Sequence, residues 1–390
     1  MDEQQNASAK PNTKLIWGAI IVITVLWLGY SFFSPTQKPS ETGPVRIGAM
    51  LALTGDAAVY GEPMQRIMQL AADEMNAHGG IGGRRLEIIF EDDKCSGKDG
   101  ANAIQKLINV DKVQAVIGGI CSSATLAAAP IAEAAKVLLF SPGASSPDLT
   151  GKSPYFFRDY PSDATQGRVL GELAYQTKGW RKVAFIQEQL DYPLGIYKAF
   201  SATFQGLGGT VVKEEFAIGV TDFRTQLTKL KAAQPDALFI ATQAPAASER
   251  ILKQLAELKW QPALLISDAT AGDQKTVANN RNLLEGALAA EFGIDPSNAK
   301  FAAMLVNYKA KFGEDMPYQS YGQTEYDAVY LLRDGIVAVG YNGEKLAAWS
   351  RTIKDWQGAS GSVTIEASGD RASGHVAKVI RSGKVELFEP

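Results

Sequence analysis

The sequence predicts an α/β protein made of two units, each with a mostly parallel sheet, preceded by one apolar N-terminal span. Three patterns carry that expectation. Short apolar runs alternate with amphipathic stretches from Val45 to Gly118, the same rhythm resumes from Lys182 to Ile266, and nineteen residues from Leu15 to Phe33 carry no charge. A chain of 390 residues, 46% of them hydrophobic, suggests about two domains. Its net charge of −3 supplies far too little positive charge for nucleic acid.

Residues 1–14 read as a cytoplasmic leader and 15–33 as a transmembrane anchor, long enough as a helix to cross about 30 Å of hydrocarbon. Trp17, Trp27 and Tyr30 near its ends fit interfacial anchors. A secretory signal also has a polar leader with Lys10 and Lys14 before an apolar run, but Phe32, Phe33 and Pro35 offer no small-residue cleavage site. Either reading exports the remainder. Residues 34–44, with three prolines and no apolar period, read as a linker.

Strands are expected at Val45–Leu51, Leu86–Glu91, Val113–Gly118 and Val137–Phe140, with helices at Met64–Ala77, Ala101–Val110 and Ala124–Ala135. The glycine run Gly79–Gly83 reads as a helix stop and turn, since it follows a helix and lacks the dinucleotide fingerprint. A loop-rich passage runs through Pro161. The second unit has strands at Lys182–Gln187, Thr210–Phe216, Ala237–Ala241 and Ala263–Ile266, and helices at Leu194–Leu207, Phe223–Ala233 (capped by Asp222) and Ala247–Lys259. Helices at Ala299–Phe312, Glu325–Val339 and Glu344–Trp356 and a β-rich tail from Gly361 to Phe388 then return to complete these units, leaving a cleft between them.

For chemistry the chain is sparse. It has two histidines, His78 in the glycine turn and His375 in the β tail, both read as surface or turn residues, so a histidine triad or metal cluster has almost no material. No cofactor loop is present and no cofactor is expected. What remains is a binding constellation at strand ends, where open α/β sheets bind ligands. Ser122 and Ser123 open a helix whose free backbone N–H groups favour a carboxylate, although ordinary capping explains two serines equally well. Gly143 and Ser145 lie on the next strand-end loop. In an exported protein Cys95 and Cys121 either pair or stand as two buried thiols.

The segments Ile47–Gly55 with Tyr60-Gly61, Asn76–Gly83, Glu91–Cys95, Ile117–Ser123 and Ser141–Ala144, in that order, resemble the branched-chain amino-acid-binding proteins of ABC transporters, over Val45 to about Tyr330. The resemblance implies a type I periplasmic-binding-protein fold with two Rossmann-like lobes joined by a three-strand hinge. Lobe 1 would hold 45–162 and 293–361, and lobe 2 would hold 163–292 and 362–390. It implies a Cys95–Cys121 disulfide, a ligand carboxylate on Ser122, and Gly143 and Ser145 contacting carboxylate and ammonium. Tyr60, Tyr192 and Tyr321 would line the cleft, and Asp268 would receive the ammonium, with Glu188 or Gln243 also facing the cleft.

It further implies a monomeric ectodomain, outside the cytoplasmic membrane, that binds a small amino acid or related carboxylate and hands it to an ABC permease without catalysis. A sensor ectodomain of the same fold is the alternative. Around Ala241–Pro245 the family's branched-chain binders carry glycines and a tyrosine where this chain has Ala244, so leucine specificity does not carry over.

Overall fold

The computed structural model describes residues 43–389. The expected leader, the apolar span and all but the last two linker residues lie outside them. Among the described residues no helix is long and apolar enough to cross a membrane.

Two sheets form the frame. The first contains β1 (Val45–Leu51), β2 (Leu86–Asp92), β3 (Ala115–Gly118), β4 (Leu138–Ser141) and β5 (Phe156–Arg158), in the order β2-β1-β3-β4-β5, with every pair parallel. The second contains β6 (Lys182–Glu188), β7 (Thr210–Phe216), β8 (Ala237–Ala241), β9 (Ala263–Ile266) and β10 (Leu288–Phe292) in the parallel order β7-β6-β8-β9-β10. A late hairpin, β13 (His375–Arg381) with β14 (Lys384–Leu387), extends this sheet antiparallel to β10. Each parallel core therefore has the same doubly wound order, whose switch points lie between β1 and β3 and between β6 and β8.

Strands buried on both faces must be apolar throughout, and β3, β4, β8 and β10 are fully buried runs. Helices such as Ala58–Ala77 and Pro245–Glu257 cover the sheets with one buried stripe each. The first of these ends at His78, where Gly79 and Gly80 take positive φ and the Gly80 N–H bonds back to the Met75 carbonyl at 2.9 Å, the turn its glycines predict.

The β1, β7, β8 and β9 bounds coincide with the apolar runs that predict them. The passage before Pro161 does not: it contains the three-residue β5, and a helix at Asp163–Glu172 follows it. β5 is buried throughout and too short to show any alternation. The helix expected over Glu344–Trp356 is Gly343–Ser350. Trp356 instead starts β11 (Trp356–Gly358), which pairs with β12 (Gly361–Val363), and its indole N–H donates to Asp334 at 2.8 Å.

Candidate functional site

The carboxyl ends of both sheets face one another, and the loops leaving the two switch points meet there. Tyr60 follows β1 and reaches across, its hydroxyl donating to the backbone carbonyls of Gln243 and Ala269 at 3.2 Å each. Tyr192 enters from the helix Asp191–Gly206, which follows β6. A cavity of about 10 Å³ lies between them, lined by Tyr60, Ile120, Gly143, Ser145, Tyr192, Gln243, Ala269 and Tyr321. That is room for about one water molecule.

Asp268 is the centre of charge. It is the first residue of a short helix directly after β9 and is 1% exposed. Its Oδ2 accepts hydroxyl hydrogens from Tyr160 at 2.8 Å and Tyr321 at 2.7 Å, and its Oδ1 accepts that of Tyr192. Burial, reinforced by the Asp268 charge, pushes the Tyr160 and Tyr192 hydroxyls well above the usual phenol range. They stay protonated as donors. A carboxylate offers roughly four acceptor positions, so three hydroxyls leave about one free. Among the described residues no lysine or arginine forms an ion pair with Asp268. Its negative charge is thus bonded by neutral groups alone.

Behind Asp268 lies more acid. Asp163 accepts the Ser145 hydroxyl at 2.8 Å through Oδ2, while its Oδ1 is buried without a partner. Burial and then the Asp268 charge raise the Asp163 carboxyl well above the usual range. Burial pushes the Glu291 carboxyl up to about 7. His375 corrects the surface reading of the sequence: it is 5% exposed, with Nδ1 bonded to the Thr165 hydroxyl at 2.7 Å. Burial pulls it down to about 4, so it is neutral. Strand β13 carries it inward because its hairpin joins the second sheet, which the pattern of the tail alone does not reveal. Asp163, Asp268 and His375 place potential ligand atoms within 4.8 Å of one another. A metal there would displace tyrosine hydroxyls from Asp268, and the donor set fits a hydrogen-bonded carboxylate better than a metal centre.

The opposite wall is made of hydroxyls and backbone. Cys95 and Cys121 are joined as a disulfide, tying the loop after β2 to the residue that precedes Ser122. Closing a loop of this length contributes on the order of 3 kcal/mol by restricting the unfolded chain. Ser122, 1% exposed, accepts the Ser146 N–H at 3.1 Å and keeps its own hydroxyl hydrogen to donate. Ser123 accepts the N–H of Asp191 from the other side of the cleft at 3.3 Å. Ser122, Ser123 and Asp268 border this region without lining the cavity itself. Gly143 has no room for a side chain, since a Cβ would stand 2.5 Å from the Ile120 side chain.

A buried guanidinium fixes the serine loop. Arg158, at the end of β5, donates to the carbonyls of Ala144 at 3.1 Å and Ser146 at 2.9 Å and pairs with Asp370 at 2.7 Å. Arg158 and Tyr160 lie in the passage through Pro161 that reads as loop, and Asp163 lies in a segment where the sequence predicts no element. The available signal was Ser162, whose hydroxyl caps the helix that begins at Asp163.

The profile of the periplasmic binding protein family matches residues 44–381. A leucine-, isoleucine-, valine-, threonine- and alanine-binding protein of Pseudomonas aeruginosa is 28% identical over 346 residues, 87% of this chain and 88% of that one. Among solved structures, a leucine binding protein from Thermotoga maritima superposes with a TM-score of 0.81 at 28% identity, covering 88% of this chain and 98% of that one. The branched-chain amino acid transporter substrate binding protein of Streptococcus pneumoniae, in complex with isoleucine, has a TM-score of 0.78 at 26% identity, covering 89% and 100%.

Proposed function

The chain belongs to the periplasmic binding protein family, and from that premise we propose that it captures a small amino acid between its lobes outside the cytoplasm and presents it to an ABC permease. The observation that carries the amino acid is Asp268, a buried carboxylate bonded by three neutral hydroxyls and by no cation, beside a cavity. An ammonium group supplies the missing positive charge and takes the remaining acceptor position. Opposite it, the Ser122 hydroxyl and the Gly143 backbone hold the ligand's carboxylate end, and the Ser145 oxygen, whose hydrogen goes to Asp163, accepts from the ammonium.

The cycle is binding without chemistry. Separation of the lobes exposes the serine loops, the carboxylate docks there, and closure brings Tyr192 and Asp268 onto the ammonium. The hydroxyl in the cavity wall at Ser145 meets a buried aspartic acid and no histidine, and His375 is buried, neutral and already bonded to Thr165. Relatives that bind leucine, isoleucine, valine, threonine or alanine support the ligand class. The nineteen uncharged residues from Leu15 to Phe33 support tethering beside the permease, which would raise the local concentration of the receptor.

The test is calorimetric titration of the full chain with the proteinogenic amino acids. At least one is expected to bind with heat and to raise the melting temperature. If none does, while another class of small carboxylate binds, the amino-acid reading is wrong.

A further inference from the structure

One group in the cavity wall is not used by the carboxylate and ammonium contacts. Gln243 follows β8 at the second switch point, and its backbone is fixed at both ends. Its N–H donates to the Glu188 carboxylate at 2.9 Å, and its carbonyl accepts the Tyr60 hydroxyl at 3.2 Å. Glu188 is itself 8% exposed at the end of β6, so this anchor belongs to the sheet and not to a wandering loop. Gln243 is also one of the residues that line the cavity, and its side-chain Oε1 is enclosed and without a hydrogen-bond partner.

An enclosed amide oxygen without a partner is disfavoured unless something completes it. The rest of the wall does not do so: Ile120 and Ala269 are its only aliphatic side chains, and Ser145, Tyr192 and Tyr60 spend their hydroxyls on Asp163, Asp268 and two backbone carbonyls. A ligand with a branched aliphatic side chain would leave the Gln243 Oε1 enclosed and unpaired. A ligand whose side chain ends in a carboxamide or hydroxyl both donates and accepts, and so complements the amide in either orientation.

We infer that Gln243 reads the ligand's side chain and that the ligand is a polar, uncharged amino acid bearing a carboxamide or hydroxyl. This rests on the amino-acid reading above. The aliphatic relatives and this chain then share the zwitterion contacts and differ at the switch-point residue after β8.

The experiment titrates the full chain with two pairs matched in shape, asparagine against leucine and glutamine against methionine. The amide member of at least one pair is expected to bind about tenfold or more tighter, because only it pairs the amide. In Gln243→Leu that preference is expected to collapse to within about twofold while zwitterion binding persists. Leucine or methionine matching its partner in the wild type, or a preference that survives Gln243→Leu, overturns the inference alone. Absence of binding by all four, together with an unchanged response to the other amino acids in Gln243→Leu, overturns it as well; failure of every amino acid overturns the amino-acid reading with it. The wild-type comparison needs no variant and stands even if Gln243→Leu folds poorly.

Discussion

At the scale of single residues, the site is governed by how one charge is housed. Asp268 accepts three tyrosine hydroxyls that arrive from three different segments: Tyr160 after β5, Tyr192 from the helix after β6, and Tyr321 from the helix Gln319–Val339. Asp268→Asn keeps the shape and removes the charge. It is expected to weaken amino-acid binding roughly 100-fold by titration calorimetry, since a charge-assisted bond to the ammonium contributes about 1.5–3 kcal/mol. Equal affinity in the variant would place the ammonium elsewhere. Sequence reasoning reached Asp268, Tyr192 and Tyr321 through family resemblance, and the strand Ala263–Ile266 placed Asp268 at a strand end. It missed Tyr160 and mistook His375, because neither residue's surroundings follow from its neighbours in the chain. Tyr160 is defined by what stacks on it, the Tyr321 ring at 4.7 Å, from 161 residues further along. A period read in a short window reports only which face is apolar.

Between elements, the decisive contact is the close crossing of the helices Asp163–Glu172 and Asp191–Gly206. One carries Asp163 and the other Tyr192, so their separation sets the distance between that acid and the ring. Gly167 permits it: a Cβ there would lie 2.4 Å from the Ala199 Cβ and 2.5 Å from the Phe200 backbone nitrogen. Gly167→Ala is expected to destabilise the protein by about 1–3 kcal/mol in urea denaturation and to weaken ligand binding, because the backbone of the second helix must retreat. Gly206→Ala, at the end of the same helix with nothing within 4 Å of the added methyl, is expected to be neutral or stabilising by up to about 1 kcal/mol. If the two substitutions behave alike, close approach is not what Gly167 provides. The first helix was illegible in the sequence because its ten residues carry small and polar side chains on the buried face, Gln166, Gly167 and Gly171 among them, where a hydrophobic stripe would have announced it. The strands were legible for the converse reason: burial on both faces demands unbroken apolar runs such as Ala237–Ala241.

For the molecule as a whole, the concentration of buried acids links stability to pH. The Glu291 carboxyl, at about 7 when folded and at the ordinary glutamate value of 4.5 when unfolded, retains its proton in the folded state across the interval between. The folded state therefore binds more protons there, and the contribution is present below about 4.5 and lost as pH rises through about 7. Relative to Glu291→Gln, the wild type is expected to lose roughly 2–3 kcal/mol between pH 5 and pH 8, measured by denaturation at both. A constant gap would show that Glu291 ionises normally. The two mostly parallel sheets are the largest thing the βαβ rhythm foretold, since each unit needed only its own local pattern. How the late hairpin and helices return was not foretold in detail, because rejoining an earlier sheet leaves no local mark. The cavity of about 10 Å³ bears on rates. On the proposed function, an amino acid is larger than that space, so capture is expected to follow parting of the lobes, with association limited to the fraction of molecules already parted. In stopped-flow mixing, the observed association rate is then expected to level off at high ligand concentration, at the frequency with which the protein opens by itself. A rate that rises linearly without limit would mean that the site is already accessible to ligand, and that no opening step precedes capture.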